Sequence, residues 1–119
     1  MLAIALDESH ADACMAALEA EDDLLISAGT LSEAFIVAVR RNRLAEIVSL
    51  IARLNMTVIA VTESTARQVG EAYARWGKGI HPANLNFGDC FAYVLAKERG
   101  CPLLYVGEDF AKTDIAAAL

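Results

Sequence analysis

Two kinds of apolar pattern alternate along the chain. Short runs of apolar or β-branched residues are separated by longer segments in which apolar residues recur every three or four positions. The runs DLLISA, MTVIAV and CPLLYV predict strands at residues 23–28, 56–61 and 101–106. Helices are predicted at residues 9–22, 30–42, 43–55, 63–76 and 87–99. Strands that alternate with helices of this length predict an α/β domain with a parallel sheet.

Acidic residues come after the predicted strands at the places where ligands collect. In parallel α/β sheets, ligands bind beyond the carboxyl ends of the strands. Glu33 comes after the first predicted strand, and Glu108, Asp109 and Asp114 come after the last one. Asp89 lies near the start of a helix that is predicted to cover the sheet. Three regions far apart in sequence could therefore bring carboxylates to one edge of the sheet.

Glu33 and Asp89 each interrupt a stretch that is otherwise largely apolar. At helical spacing, Asp89 shares a face with the small residues Ala92 and Ala96, which leave room beside the carboxylate. Hard cations such as Mg²⁺ or Mn²⁺ prefer oxygen ligands, and Mg²⁺ often uses one or two carboxylates together with water and a phosphate. Such a site can activate a water molecule for attack on phosphorus.

The same acids also have structural interpretations. Glu33 could be the third residue of a capping box that begins at Thr30. Asp89 could bind free amides in the first turn of its helix, and Asp109 and Asp114 could be ordinary loop acids. The residues alone therefore lead to an α/β domain with a candidate carboxylate metal site, and leave both interpretations open.

Length and composition limit the class of protein. The 119 residues predict one domain, residues 1–119, and 56% of them are hydrophobic, yet no apolar run approaches the ~18 residues of a membrane span. The opening MLAIAL has neither a basic flank nor a cleavage site, so we predict no leader. Three cysteines without a CxxC pair predict buried thiols in a reducing cytoplasm: Cys14, Cys90 and Cys101.

The net charge of −6 argues against a protein that binds nucleic acid over its entire surface, because binding to phosphates depends on Lys and Arg side chains. The basic residues nevertheless cluster in RRNR (Arg40, Arg41 and Arg43) and in RWGKG (Arg75 and Lys78). A solvated helix end explains the first cluster at least as well as a basic rim around an acidic site.

Several aromatic, cysteine and apolar side chains allow both a functional and a structural interpretation. Tyr73 and Trp76, close to His81, could stack on unpaired bases or pack beneath a loop, and packing is favoured. Cys90 could be a nucleophile, but no base is evident and burial is favoured. The helix at residues 43–55 could serve as an oligomer face, as a groove for a protein partner or as core.

Two segments carry a family resemblance. HPANLNFGDCFAYVLAKERGCPLLYVGEDFAKTDI closely resembles the C-terminal third of VapC-type PIN-domain ribonuclease toxins, and ISAGTLSEAFIVAVRR resembles the family's segment with its glutamate. The most specific part is NFGDC followed by FAY. The similarity extends over essentially the whole chain in the order and type of element.

The resemblance implies a PIN-like three-layer α/β domain with a central parallel sheet flanked by helices. It also implies a cytoplasmic, Mg²⁺- or Mn²⁺-dependent endoribonuclease that cuts RNA, pairs with a VapB-like antitoxin and forms a homodimer. By this resemblance Asp89, Glu33 and Asp109 are the catalytic acids and metal ligands, with Asp114 as the alternative to Asp109. Asn86 and Thr113 would orient carboxylates or water, and Arg40, Arg41, Arg75 and Lys78 would steer RNA.

The start of the chain departs from the family pattern. The family begins with a strand that ends in an aspartate, in a pattern like DTSA, whereas MLAIALDE lines up with the segment after that motif. Asp7 and Glu8 come about two turns too late, after a run that looks helical. We therefore expect a missing core strand, an exposed strand edge and a missing ligand, through a truncated start or a degenerate toxin. The alternative function is an inactive PIN-like binding module that keeps its antitoxin or dimer contacts.

Overall fold

A parallel sheet forms the centre of the molecule. The computed structural model describes residues 2–4, 23–104 and 113–114. Its strands are β1 (Leu2–Ile4), β2 (Leu24–Ser27), β3 (Thr57–Ile59) and β4 (Leu103–Leu104). They lie in the order β3-β2-β1-β4, and every pair is parallel. The prediction of an α/β domain with a parallel sheet is confirmed.

Four helices are present in the described part of the chain. They are α1 (Ala28–Arg40), α2 (Leu44–Leu54), α3 (Glu63–Trp76) and α4 (Phe87–Arg99). Thr62 caps α3 as expected, and Gly100, in the left-handed conformation at φ 60°, ends α4. The helix predicted at residues 9–22 and the end of the last predicted strand, residues 105–106, lie outside the described residues. None of the four helices is long and apolar enough to cross a bilayer.

The strand β1 corrects the expectation for the start of the chain. Leu2–Ile4 belongs to a run that looks helical in the sequence, yet it pairs with β2 on one side and with β4 on the other. The position between β2 and β4 is therefore filled, and the expected gap with its exposed strand edge is not found there. A short apolar run cannot be assigned to helix or strand by periodicity alone, and the backbone partners decide it here. Asp7 and Glu8 lie outside the described residues.

Helix α1 begins directly at the carboxyl end of β2. All four residues of β2 are buried, and its last residue, Ser27, is the N-cap of α1, with a side chain that accepts a hydrogen bond from the Gly29 amide at 3.2 Å. The predicted capping box from Thr30 to Glu33 is therefore wrong, because Thr30 already lies in the first turn. Serine is at least as good a cap as threonine, so the helix begins at Ala28 rather than after Thr30.

Helix α4 runs back across the sheet toward its amino edge. The helix ends at Arg99, next to the start of β4, where the Cys101 amide still bonds to the Ala96 carbonyl at 3.1 Å. Its 13 residues span about 20 Å, so its first turn lies at the opposite end of the sheet. Five consecutive residues of this helix, from Ala92 to Ala96, are buried. The first turn of α4 is thereby brought to the edge at which α1 begins.

Helices α1 and α4 approach each other closely at Gly29. A Cβ atom added at Gly29 would lie only 2.5 Å from the Phe91 ring, far inside van der Waals contact. The absence of a side chain at Gly29 thus sets the separation of the two helices. Gly70 in α3, by contrast, has open space around it.

We expect Gly29→Ala to lower the free energy of unfolding by about 1–3 kcal/mol, because the Phe91 ring must move out of a packed position. Gly70→Ala is the matched control, and it should be neutral or stabilising by up to about 1 kcal/mol, since alanine favours the helix without a clash. Urea denaturation of the two variants measures both effects. Equal stability of the two variants would contradict the close approach.

Candidate active site at the start of helix α4

The first turn of α4 is closed by a reciprocal pair of hydrogen bonds. The Asn86 side-chain oxygen accepts from the Asp89 amide at 2.8 Å, and the Asp89 Oδ2 atom accepts from the Asn86 amide at 3.0 Å. This capping box matches the structural interpretation of Asp89. It also fixes the carboxylate in one orientation, since Oδ2 is tied to the backbone. The bond that holds this carboxylate comes from the backbone N–H of Asn86. A role of Asn86 in orienting a metal-binding carboxylate stays a prediction.

Glu33 reaches the same turn from α1. Its carboxylate lies against Gly88, so closely that a Cβ atom added there would overlap the Glu33 oxygens. Gly88 itself is buried and Glu33 is half-buried. The glycine immediately before Asp89 therefore opens a cradle for the second carboxylate. The fold brings together two acids that stand 56 positions apart in the sequence, at the edge where ligands were expected.

A buried hydroxyl lies one turn before Glu33. Thr30 is 4% exposed, and its Oγ1 atom has no hydrogen-bond partner among the residues that the structure describes. An unpaired buried polar atom is costly, and it is usually paired with water or a ligand. Thr30 shares a helix face with Glu33 at the i, i+3 spacing, so this hydroxyl adds a third oxygen-bearing side chain to the region. Sequence reasoning missed the burial of this hydroxyl, because it used Thr30 as a cap.

These oxygens suit a hard divalent cation. Mg²⁺ needs only one or two protein carboxylates when water and a phosphate complete its coordination. Glu33 and Asp89 supply two carboxylates beside the cradle at Gly88, and no group of three metal-binding side chains exists within the described ranges. Asp109 lies outside those ranges, so its place in the site stays a prediction.

Asp114 is engaged elsewhere, further along α4. Its Oδ1 atom accepts a hydrogen bond from the Tyr93 hydroxyl at 2.6 Å, and its Oδ2 atom lies 3.0 Å from the Lys97 ammonium and 3.8 Å from the Arg75 guanidinium. The Tyr93 hydrogen bond, followed by Lys97, lowers the pKa of Asp114. Burial, and then the hydrogen bond to Asp114, raises the pKa of Tyr93, which keeps its hydroxyl protonated. Asp114 is thus bonded to two side chains of α4 and lies near Arg75 of α3.

The indole of Trp76 extends this network into the core. Its Nε1 atom donates to the Tyr93 hydroxyl at 2.9 Å, and the ring meets His81 edge-on with centroids 4.7 Å apart. Trp76 is buried and the Arg75 guanidinium lies over its ring, 4.5 Å from the centroid. The favoured interpretation, packing beneath a loop, is confirmed for Trp76. His81 accepts from the Ala83 amide at 2.9 Å and so helps to shape that loop.

Cys90 is a core residue. It is fully buried, and burial followed by the Asp89 charge raises its pKa to about 11. A thiol with so high a pKa is protonated at neutral pH and is a poor nucleophile. Cys101 is also buried and free, as predicted, whereas Cys14 lies outside the described residues.

Comparison with known proteins gives the family. The PIN domain family model matches residues 1–116. The chain belongs to the PIN domain family. The VapC ribonuclease Mb0640 of Mycobacterium bovis is 40% identical over 119 residues, which cover 98% of this chain and 91% of that protein. Ribonuclease VapC30 of Mycobacterium tuberculosis matches with the same identity and coverage, so the recognition of a VapC-type PIN domain is confirmed.

A solved structure supports the PIN fold independently. The crystal structure of VapC20 from Mycobacterium tuberculosis, described as a sarcin-ricin loop cleaving toxin, aligns with a TM-score of 0.75. The alignment covers 98% of this chain and 97% of that chain at 18% identity. At this identity the match concerns the fold alone, and it confirms the PIN-like α/β architecture.

The lowered pKa of Asp114 predicts a pH-dependent contribution to stability. An acid whose pKa is lower in the folded state stabilises the fold above the pKa of the unfolded carboxyl, about 3.9, and loses this contribution as the pH falls through the folded value. We therefore expect Asp114→Asn to destabilise the protein at pH 7, and its difference in stability from the wild type to shrink as the pH falls through the folded pKa of Asp114.

Urea denaturation across this pH range measures the difference, with Glu71→Gln, which changes an exposed acid on α3, as the control. A constant gap between Asp114→Asn and the wild type at all pH values would show that the ionised Asp114 contributes nothing to the fold.

Proposed function

We propose that this PIN domain is a divalent-metal-dependent endoribonuclease that hydrolyses RNA phosphodiester bonds. One observation carries the proposal: Glu33 and Asp89 converge on the first turn of α4, in a cradle that only a glycine at position 88 allows. Relatives that are 40% identical over nearly the whole chain are named ribonucleases, which supports the same reaction.

In this proposal Asp89, Glu33 and Asp109 are the catalytic acids and hold Mg²⁺ or Mn²⁺. The bound ion would lower the pKa of a water molecule, which is the nucleophile, and would offset charge on the leaving oxygen. Asp89 is held for this task by the Asn86 amide, and Glu33 is held by the crossing of α1 over α4. The Thr30 hydroxyl can donate a hydrogen bond to a water molecule at the site or accept one from it.

The geometry favours Asp109 over Asp114 as the remaining ligand. Both oxygens of Asp114 have partners, and one of these, Lys97, is a cation that competes with a metal ion. Asp109 stands five positions before Asp114 in the sequence.

Exposed cations are available to steer the substrate. Arg40, Arg41, Arg75 and Lys78 are all exposed, and in the proposal they guide RNA past the negative body of the protein. Arg75 also contacts Asp114 at 3.8 Å, so its charge is partly used within the protein. Arg40 and Arg41 lie at the C-terminal end of α1, where a basic residue also favours the helix dipole.

We propose further that the protein acts in the cytoplasm as the toxin of a VapBC-type pair, held by a VapB-like antitoxin, and that it forms a homodimer. Exposed apolar side chains on neighbouring helices support a protein contact there. Four of them lie at the end of α1 and along α2: Ile36, Val39, Leu44 and Val48. No residue of α2 is buried, which argues against a role of this helix in the core.

Cleavage of a fluorescent RNA in the presence of Mn²⁺ or Mg²⁺ tests the reaction. We expect Asp89→Asn to reduce the rate at least about a hundredfold, because the amide keeps an acceptor for the Asn86 N–H but loses the negative charge. Glu33→Gln should have an effect of similar size. Glu98→Gln, which changes an exposed acid at the other end of α4, is the matched control and should cleave like the wild type.

Three other outcomes would count against the proposal in different ways. Equal cleavage by wild type and Asp89→Asn would mean that the site is wrong or that a contaminating nuclease is at work. Loss of activity in Asp114→Asn but not in Asp109→Asn would exchange the roles of these acids. A wild type that cleaves nothing but binds an antitoxin would favour the inactive binding module.

A further inference from the structure

A groove opens beside the candidate active site. Its volume is about 550 Å³, within the range of small-molecule sites, and it runs between α3, the loop after α3 and the start of α4. The residues that matter here are Tyr73, Lys78, Asn86, Phe87 and Cys90. Asn86 and Phe87 belong to the turn that contains Asp89, so the groove adjoins the proposed reaction centre.

Two aromatic rings line this groove. Phe87 is 71% exposed, an unusual position for a phenylalanine in a folded chain. Its ring is nevertheless held, since it meets Phe91 edge-on at 5.0 Å, and Phe91 packs on Gly29. Tyr73 is 37% exposed, and its hydroxyl donates to the Lys78 carbonyl at 3.2 Å. The groove therefore has fixed aromatic walls.

A cation lies at the rim of the groove. The Lys78 backbone is fixed by two hydrogen bonds: its N–H donates to the Leu85 carbonyl at 2.8 Å, and its carbonyl accepts from the Tyr73 hydroxyl. Lys78 is exposed, and its ammonium has no ion pair with any carboxylate in the described part of the chain.

We propose that this groove holds an unpaired base of the RNA strand, next to the phosphate that lies at Glu33 and Asp89. The inference rests on the proposed function for the identity of the strand. The base stacks on Phe87 and Tyr73, and Lys78 binds the adjoining phosphate. Aromatic faces combined with an available lysine fit a single-stranded nucleotide, because they serve both its flat base and its charge. A base within a duplex is stacked on its neighbours and cannot enter, so the groove selects single-stranded RNA.

The experiment measures binding without catalysis. A short single-stranded RNA with a 2-aminopurine base is titrated with the protein in EDTA, and a set of RNAs each lacking one base locates the position that the groove reads. We expect the loss of one particular base to weaken binding to the wild type about fivefold to a hundredfold.

Three variants and a control assign this effect to the groove. Phe87→Leu should bind the intact RNA about as weakly as the wild type binds the RNA lacking that base, and should be insensitive to the missing base. Phe87→Trp should again bind the intact RNA more tightly than the RNA that lacks the base, because it restores the aromatic face. Lys78→Gln should weaken binding to every RNA and reduce its dependence on salt. Val58→Thr changes an exposed apolar residue on β3 and is the matched control, which should bind like the wild type.

The outcomes separate this inference from the proposed function. Metal-dependent cleavage with the same KM in wild type and Phe87→Leu, together with equal sensitivity to the missing base, would overturn the base site and leave the ribonuclease intact. Base-dependent binding without any cleavage would support the groove as an RNA site while the proposed reaction fails. If no RNA binds and an apolar peptide binds at Phe87 instead, the groove is a protein-docking surface and the inference is wrong.

Discussion

The close crossing of α1 and α4 is the constraint on which the candidate site depends. Two glycines make it feasible, one on each helix, and each faces a side chain of the other helix. Gly29 on α1 receives the Phe91 ring, and Gly88 on α4 receives the Glu33 carboxylate. The apolar contact and the acidic contact are thus parts of the same helix interface. Any change that separates the two helices therefore loosens the packing of Phe91 on Gly29 and also displaces the Glu33 carboxylate from Gly88.

The first turn of α4 serves structure and chemistry with the same atoms. Asp89 closes a capping box, and a helix cap is stabilising by about 1 kcal/mol in many proteins. The same bond fixes one oxygen of the carboxylate and so orients the other. The structural and the functional interpretation of Asp89 are therefore compatible, since a capped carboxylate is a pre-oriented one. Asp114 differs in this respect. Both of its oxygens accept hydrogen bonds from protein side chains, so its carboxylate is used in structural contacts.

Much of the fold can be predicted from the sequence, because strong periodicity and caps specify helices α1 to α4 and the strands β2 and β3 locally. The predicted start of α1 is wrong, since Thr30 and Glu33 match a capping pattern while Ser27 makes the actual cap. The strand Leu2–Ile4 escapes prediction, because a run this short carries no period. The acids Glu33 and Asp89 can be singled out as isolated charges. The cradle at Gly88 cannot, because it depends on the distance between two helices.

The most direct test is the affinity for Mn²⁺, measured by electron paramagnetic resonance, of the wild type and of Gly88→Ala. This substitution removes no acid, but its Cβ atom would displace the Glu33 carboxylate. Gly70→Ala controls for the change of a helical glycine to alanine. We predict that Gly88→Ala, while still folded by circular dichroism, binds Mn²⁺ at least about tenfold more weakly than the wild type, a loss of about 1.4 kcal/mol. Equal affinity in a folded Gly88→Ala protein would contradict the claim that Glu33 and Asp89 share one ion.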